Sequence, residues 1–456
     1  MSNSTLLVGL DIGTTAVKAV VADASANEIQ VIGAVTEPTK GMRQGKIVDI
    51  DQTAVAIGQA LKNVAQKTNA KIYRVVTGIP VGMLQLETAS GLINIGENGR
   101  EVTDNDVRRV LEVAIKRAQK SGRDPITFLP SKFLIDGKTD VDDPQKMIAH
   151  SLEVHGILLT APTTDLHNIK KAIERAGYEN NFFVPTPLAI ASVALDEGER
   201  TFGSIILDLG GGTTTATVIH ENKIKYATID LEGGNDITKD ISVVLGTSKH
   251  DAEQIKLDYG SADPELASKD DKFAVKSVGQ SEQQMVSENY LSQIIAARLD
   301  QILSRIGKGL ESHDAFNLPG GVIITGGASS LQAVDPVVQD KFDVKTRIYQ
   351  PEQMGLRNPA YAASYGVVNY AYHLSEIDFL ANNVIYGKQI SKAEADLKFE
   401  DNHTKIFKRK AEVSENKPKE AYNDNVAPRV NRDQKGAEKS ESNKKGLREF
   451  FKKFFD

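Results

Sequence analysis

Two stretches decide how this chain folds: VGLDIGTTAVKAVV, from Val8 to Val21, and IILDLGGGTTTATVI, from Ile205 to Ile219. Each is an apolar, β-branched run ending near an aspartate, then a Gly/Thr turn, then a second β-branched run. β-branched residues suit a pleated, half-buried surface and glycine supplies the turn, so each stretch reads as a hairpin. Asp11 and Asp208 hold the same place in the two hairpins, 197 positions apart. A hairpin recurring at that distance implies two related α/β domains facing each other.

The turns carry specific chemistry. Gly13 lets the backbone bend tightly and approach an anion. Successive N–H groups of the turn, with the Thr14 and Thr15 hydroxyls, form a cradle for phosphate oxygens. Asp11, at the strand's end, is the kind of carboxylate that holds a hydrated Mg²⁺ beside phosphates. Asp208, Gly210, Gly211, Gly212 and Thr213 repeat these parts. Alone, either hairpin is also readable as a plain β-turn; together they would clamp phosphates from both sides. A third turn, Gly326-Gly327-Ala328-Ser329, follows the apolar run GVIIT. Glycine turns at the carboxyl ends of strands are where α/β sheets bind ligands. The chain has no GxxxxGK[ST] motif and no GxGxxG after a strand.

Thr53 to Ala65, Asp104 to Ala118 and Asp165 to Ala176 have helical periodicity, the second with Thr103 or Asp104 as N-cap. Leu152 to Leu158, Ser204 to Leu207, Thr215 to Ile219, Lys223 to Ile229 and Gly321 to Thr325 read as strands. Glu282 to Lys308 reads as one long helix. Alternation of this kind is α/β.

The 456 residues correspond to about three domain-sized units. Charged residues at 25% and apolar residues at 40% fit a globular chain with a sizeable core. A net charge of -6, from 55 basic against 61 acidic residues, argues against nucleic acid as a partner. The absence of cysteine excludes disulfides, thiolate metal sites and cysteine nucleophiles, and suits a reducing cytoplasm. The eight histidines are scattered without zinc-like spacing, so no protein-held metal site is expected beyond the two Mg-associated aspartates. Met1 to Gly9 lacks a basic region followed by a long apolar one, and no run reaches the ~20 apolar residues that span a bilayer. Neither a secretory signal nor a membrane span is expected.

The last part of the chain changes character. Asp401 to Asn443 holds ten basic and eight acidic residues and few large hydrophobics, too few to offset the entropy of ordering, which reads as a flexible linker. Its typical reach is about 40 Å. On a helical wheel Leu447, Phe450, Phe451, Phe454 and Phe455 fall within an arc of about 140°. Arg448, Lys452 and Lys453 occupy the rest with Glu449 and Asp456. An apolar stripe backed by a basic face describes a helix that lies in a membrane interface and favours anionic lipid. A segment docking on the chain's own core or in a partner's groove is the plainer alternative.

These residues resemble the actin-like ATPase superfamily and, more closely, its FtsA family, bacterial division proteins that tie FtsZ filaments to the membrane. The superfamily's order is phosphate-1 hairpin, connecting helix, phosphate-2 hairpin, adenosine motif, connecting helix. It is similar to Asp11 to Thr15, Pro187 to Leu195, Asp208 to Thr214, Gly326 to Ser329 and Asn358 to Val368. Two narrower stretches resemble FtsA: GMRQGKIVDID from Gly41, and GGNDITKDISVVLGTSKHDAEQIKLDYG, 28 residues from Gly233. The resemblance implies an actin-like fold of duplicated α/β domains around a nucleotide cleft that binds ATP and Mg²⁺. Gly233, Gly234 and Asn235 would then lie beside the nucleotide, with Glu253 and Lys256 facing ribose and base; i and i+3 share a helix face.

The implied divisions are 1–82 and 161–203 for subdomain 1A, 83–160 for a distinctive subdomain 1C, 204–236 and 317–385 for 2A, and 237–316 for 2B. Residues 386–443 form the linker and 444–456 the membrane helix. The resemblance further implies filaments, contact with later division proteins through 1C, and docking of FtsZ's C-terminal peptide on 2B. Arg298 and Arg305, on the long helix, are candidates to meet its acidic groups and are equally readable as solvated helix charges. The location implied is the cytoplasmic face of the membrane at the division septum. Actin and MreB place a Gln or Glu near the first connecting helix to orient the attacking water. The matching stretch here, VPTPLAIASVAL, puts Thr186 there, so ATP binding with weak or negligible hydrolysis is expected. Two rivals share the first hairpin: a sugar kinase of the superfamily, and another actin-like scaffold of the MreB or pilus-assembly type.

Overall fold

The computed structural model describes residues 5–25, 28–279 and 283–387. The chain opens with an antiparallel meander of β1 (Thr5–Ile12), β2 (Ala16–Ser25) and β3 (Glu28–Pro38). A small hairpin follows, β4 (Met42–Arg43) and β5 (Lys46–Ile47), then α1 (Ile50–Thr68) and β6 (Arg74–Ile79). Asp49 caps α1 by accepting from the Gln52 N–H. Ile57, Leu61 and Val64 bury its inner face against Leu10, Val17 and Val21.

A second sheet is then inserted, order β10-β9-β12-β7. It comprises β7 (Gln85–Asn94), β9 (Arg123–Ile135), β10 (Thr139–Val141) and β12 (Ser151–Pro162). A two-stranded piece, β8 (Arg100–Glu101) with β11 (Ile148–Ala149), lies beside it. On this sheet packs α2 (Asp104–Ala118), whose Val107, Val110, Leu111, Ala114 and Ile115 recur at helical spacing and are buried. Thr103 and Asp106 cap each other's backbone, the reciprocal arrangement that starts a helix firmly.

The chain returns through α3 (Thr163–Arg175) and β13 (Glu179–Pro185) to complete the first sheet, order β13-β6-β1-β2-β3. After α4 (Thr186–Ala194) and α5 (Glu197–Phe202), the second domain begins with β14 (Ser204–Leu209), β15 (Thr214–His220) and β16 (Lys223–Asp230). Next come α6 (Gly234–Val244), α7 (Lys249–Tyr259), the hairpin β17 (Lys272–Val275) and β18 (Gln284–Ser287), and α8 (Glu288–Glu311). Then β19 (Val322–Thr325), α9 (Val334–Phe342) and β20 (Thr346–Ile348) close a sheet of order β16-β15-β14-β19-β20. Both large sheets share one plan: an antiparallel three-strand meander whose first strand pairs in parallel with a fourth, and that with a fifth. The duplication read from the two hairpins is therefore a duplication of whole sheets.

Three expectations are corrected. The long helix begins at Glu288, because Gln284–Ser287 pairs with Lys272–Val275 and the Ser287 hydroxyl caps the helix. Residues at the end of 317–385 do not stay with the second domain. The helix α10 (Ala362–Tyr372) packs on the first sheet, where a Cβ at Gly9 would stand 2.5 Å from the Ser364 carbonyl. The last described helix, α11 (Glu376–Tyr386), buries Ile377, Leu380 and Ala381 in the inserted domain's core. Tyr386, the first residue assigned to the linker, belongs to this helix. The remainder of the expected linker, from 388 on, and the expected membrane helix with Leu447, Arg448, Phe450, Phe451, Lys452, Lys453, Phe454 and Phe455 lie outside the described residues.

Candidate functional site

The two Gly/Thr turns meet across one cleft of about 350 Å³. Asp11 and Asp208 are the penultimate residues of β1 and β14, so the duplicated strands bring both carboxylates to the cleft floor. The turns interlock. A Cβ at Gly211 would fall 1.9 Å from the Thr15 hydroxyl, and one at Gly212 would fall 2.4 Å from the Thr14 methyl. Only glycine allows this approach. Gly13, Gly210 and Thr213 also line the cleft.

Lys18, which no motif marks, stands in the floor. Its ammonium lies 3.1 Å from Asp11 Oδ2. Hairpin register was the available signal, since Asp11 and Lys18 are cross-strand partners. Burial works against the Lys18 charge, but Asp11 and, further off, Asp208 hold its pKa above the ordinary value. Burial, then the Asp11 charge, pushes the Asp208 carboxyl up to about 6, against the pull of Lys18.

The first turn of α6 docks on the second phosphate-type loop: Gly234 N–H donates to Gly210 O at 3.0 Å and Asn235 N–H to Gly211 O at 2.7 Å. Gly233 permits that contact, because a Cβ there would sit 2.5 Å from Gly210 O. Lys256 is buried and donates to Gly234 O at 3.0 Å, Thr238 Oγ1 at 2.8 Å and Glu253 Oε2 at 2.7 Å. Glu253 and Lys256 thus line the cleft while bracing α6. Opposite them, Gly326 adopts φ +91°, where a Cβ would lie 2.3 Å from Asp208 Oδ1. Gly327 is open, its nearest neighbour being Ala360 at 3.9 Å, and Ala328 faces Gly234. Thr186 is buried at the start of α4 and also borders the cleft.

Hydroxyls, glycine-rich turns and a lysine on one floor, with two carboxylates, fit a phosphate-bearing group accompanied by a hydrated divalent cation. Arg298 and Arg305 lie elsewhere, on α8. Arg298 donates to Asp240 at 2.6 and 3.1 Å and to Glu232 at 2.8 Å. Arg305 pairs with Asp230 and Glu232.

Duplicated sheets around such a cleft define an actin-like fold. Solved structures share it. A PilM–PilN type IV pilus biogenesis complex matches with TM-score 0.57 at 15% identity, covering 81% of this chain and 99% of that one. MreB 5 of Spiroplasma citri bound to AMPPNP matches with TM-score 0.50 at 14% identity, covering 80% and 95%. The family model "Cell division protein FtsA" matches residues 205–366, and "SHS2 domain inserted in FTSA" matches residues 82–160. The cell division protein FtsA of Enterococcus hirae is 41% identical over 390 residues, 86% of this chain and 88% of that one. That of Bacillus subtilis is 33% identical over 371 residues, 81% and 84%. This chain belongs to the FtsA family of cell division proteins.

Proposed function

We propose that this chain binds ATP in the cleft and uses it as a conformational switch while it ties FtsZ filaments to the cytoplasmic membrane at the division septum. The observation that carries the reading is the interlocking of two phosphate-type turns across one floor bearing Asp11, Lys18 and Asp208. Gly13, Thr14, Thr15, Gly210, Gly211, Gly212 and Thr213 would hold the phosphates. Asp11 and Asp208 would hold hydrated Mg²⁺. Gly233, Gly234, Asn235, Glu253, Lys256, Gly326, Gly327 and Ala328 would enclose the nucleoside. A structure of the same fold solved with AMPPNP supports this. Bound ATP would supply charge and contacts to both domains at once, drawing them together. Thr186 has no carboxylate to activate water, so turnover is slow or negligible.

In this reading residues 444–456 form the lipid-binding helix on a linker, 83–160 meet later division proteins and neighbouring copies, and 237–316 receive the FtsZ tail. Arg298 and Arg305 already face carboxylates of their own domain, so an acidic peptide has to displace Glu232 to reach both. Filament formation compensates for the weak grip of one short helix through avidity. Family membership weighs against the sugar-kinase alternative.

The test is flotation of the full chain, with FtsZ and ATP, on anionic liposomes, compared with a chain ending at Asn443. Full-length protein carrying FtsZ upward, and the truncation failing to, is the expected result. Protein that floats and leaves FtsZ behind sinks the partner assignment; protein that never floats sinks the tether.

A further inference from the structure

We infer that the β4–β5 hairpin is a latch: it reads phosphate engagement at Thr14 and passes it to the second domain through Gln44. This rests on the nucleotide reading above and assigns residues to how the two domains respond.

The hairpin's base is fixed to the first domain. The Gly41 carbonyl accepts from the N–H groups of Val48 at 2.9 Å and Asp49 at 3.1 Å. Lys46 pairs with Asp165 of α3 at 3.5 Å. Its tip reaches across the cleft mouth. The Gly45 N–H donates to Thr14 Oγ1 at 2.9 Å, and a Cβ on Gly45 would touch the Thr213 methyl at 3.9 Å. The tip therefore bonds to the first Gly/Thr turn and lines the same cleft as the second. The Gln44 amide donates to the Leu231 carbonyl of the second domain at 3.3 Å.

Gln44 is one of nine described non-glycine residues at positive φ, and among them it sits at the tip that crosses the cleft mouth. Arg43 pairs with Lys46, so the loop holds two residues, Gln44 at φ +50° and Gly45 at φ +75°. Two left-handed residues make the turn type that favours Asn-Gly or Gly-Gly. A glutamine there costs about 1 kcal/mol. Strain kept in a sequence where glycine fits better points to work done by the side chain. Here that work is the contact with Leu231.

The chemistry of the relay follows from Thr14. A hydroxyl has one hydrogen to give and accepts on its oxygen. Accepting from Gly45, Thr14 is oriented to donate to a phosphate oxygen, so phosphate contact and hairpin contact support each other. Leu231 lies between Asp230 and Glu232, the partners of Arg305, and just before the α6 turn that docks on the second phosphate-type loop. A pull on Leu231 is a pull on the segment that joins β16 to α6 and α8.

The experiment exploits the absence of cysteine in the full-length chain. Val55 on α1 and Val243 on α6 are 73% and 72% exposed, and Val55→Cys with Val243→Cys places spin labels on the two domains. The interlabel distance is measured by pulsed electron resonance with AMPPNP and with ADP, and affinity by a fluorescent ATP analogue. The expected result is a distance that differs between the two nucleotides. Adding Gln44→Gly, which eases the turn while deleting the side chain, is expected to cut that difference by about half or more. Affinity should stay within about threefold. Gln44→Asn, one methylene shorter, should behave like Gln44→Gly. An unchanged difference in Gln44→Gly, or no difference in the parent that binds nucleotide, overturns the latch and leaves the nucleotide reading standing. A parent that binds no nucleotide analogue overturns both.

Discussion

Lys18 Nζ stands 3.1 Å from Asp11 Oδ2, with both side chains largely buried. The lysine is the cation that lets Asp11 and Asp208 share one cleft floor. Removing one partner of a buried pair leaves the other charge uncompensated, which costs more than the pair itself contributes. Lys18→Ala should therefore lower the stability of nucleotide-free protein by about 1–3 kcal/mol. It should also weaken binding of an ATP analogue by about tenfold or more, since a phosphate ligand loses its cation. Denaturant melts and fluorescence titration check the two parts separately. A stability loss with unaltered affinity would confine Lys18 to bracing Asp11.

Neighbouring glycines in the third turn separate structure from binding. At Gly326 the backbone is left-handed, and a Cβ would collide with Asp208 Oδ1 at 2.3 Å and Leu209 O at 2.5 Å. Gly326→Ala should cost about 3 kcal/mol, from strain and overpacking together. At Gly327 a Cβ meets only Ala360, at 3.9 Å. Gly327→Ala should leave stability within about 0.5 kcal/mol and weaken nucleotide binding through the occupied space. Equal stability losses in the two variants would contradict this division.

Acid should reach the inserted domain through Asp106. The Arg100 guanidinium grips its carboxylate at 2.7 and 2.8 Å and the Thr103 hydroxyl donates at 2.6 Å. The bond from Arg100 leads the causes that hold this buried carboxyl well below the ordinary range. A carboxyl depressed on folding contributes stability that is full above its unfolded pKa of about 3.9, begins to fall there, and is gone only once pH has dropped through the depressed folded value. Asp106→Asn keeps the shape and removes the charge. It should cost about 1–3 kcal/mol at pH 7 and progressively less below pH ~4. Unfolding curves at pH 7 and pH 3 test this; a penalty equal at both would mean that charge is not what the site uses.

The legible parts of this molecule are those whose signal is local or repeated. The two hairpins announced the duplicated sheets because each packs its chemistry into some fourteen adjacent residues. Thr103 was readable as a cap because the capping pattern is itself a short-range rule. What escaped depends on partners distant in sequence. The start of α8 is not legible locally, because Gln284–Ser287 becomes a strand only by pairing with β17. The return of α10 and α11 to the first domain follows from contacts with Gly9, and with the inserted domain's core, that no periodicity reports. Lys18 is intermediate: it lies seven residues from Asp11, yet becomes visible only when hairpin register is taken into account.

Tyr386 shows what the returning helix does. Its hydroxyl donates to the Ile126 carbonyl of β9 at 2.9 Å and accepts from the Phe183 N–H of β13 at 3.2 Å. One buried oxygen thereby joins the inserted sheet to the first sheet, and burial raises the phenol's pKa so that it stays a donor. Tyr386→Phe keeps the ring and strands a carbonyl and an amide whose partner is gone. The loss should be about 1–3 kcal/mol, concentrated at the joint. Hydrogen exchange should accelerate at Phe183 and along α11, while α8 of the second domain keeps its protection. Uniform acceleration would show that the joint unfolds only with the whole molecule. Acceleration confined to the joint would make α11 a separately releasable strap over the domain that carries residues 82–160, just upstream of residue 388 and the rest of the chain.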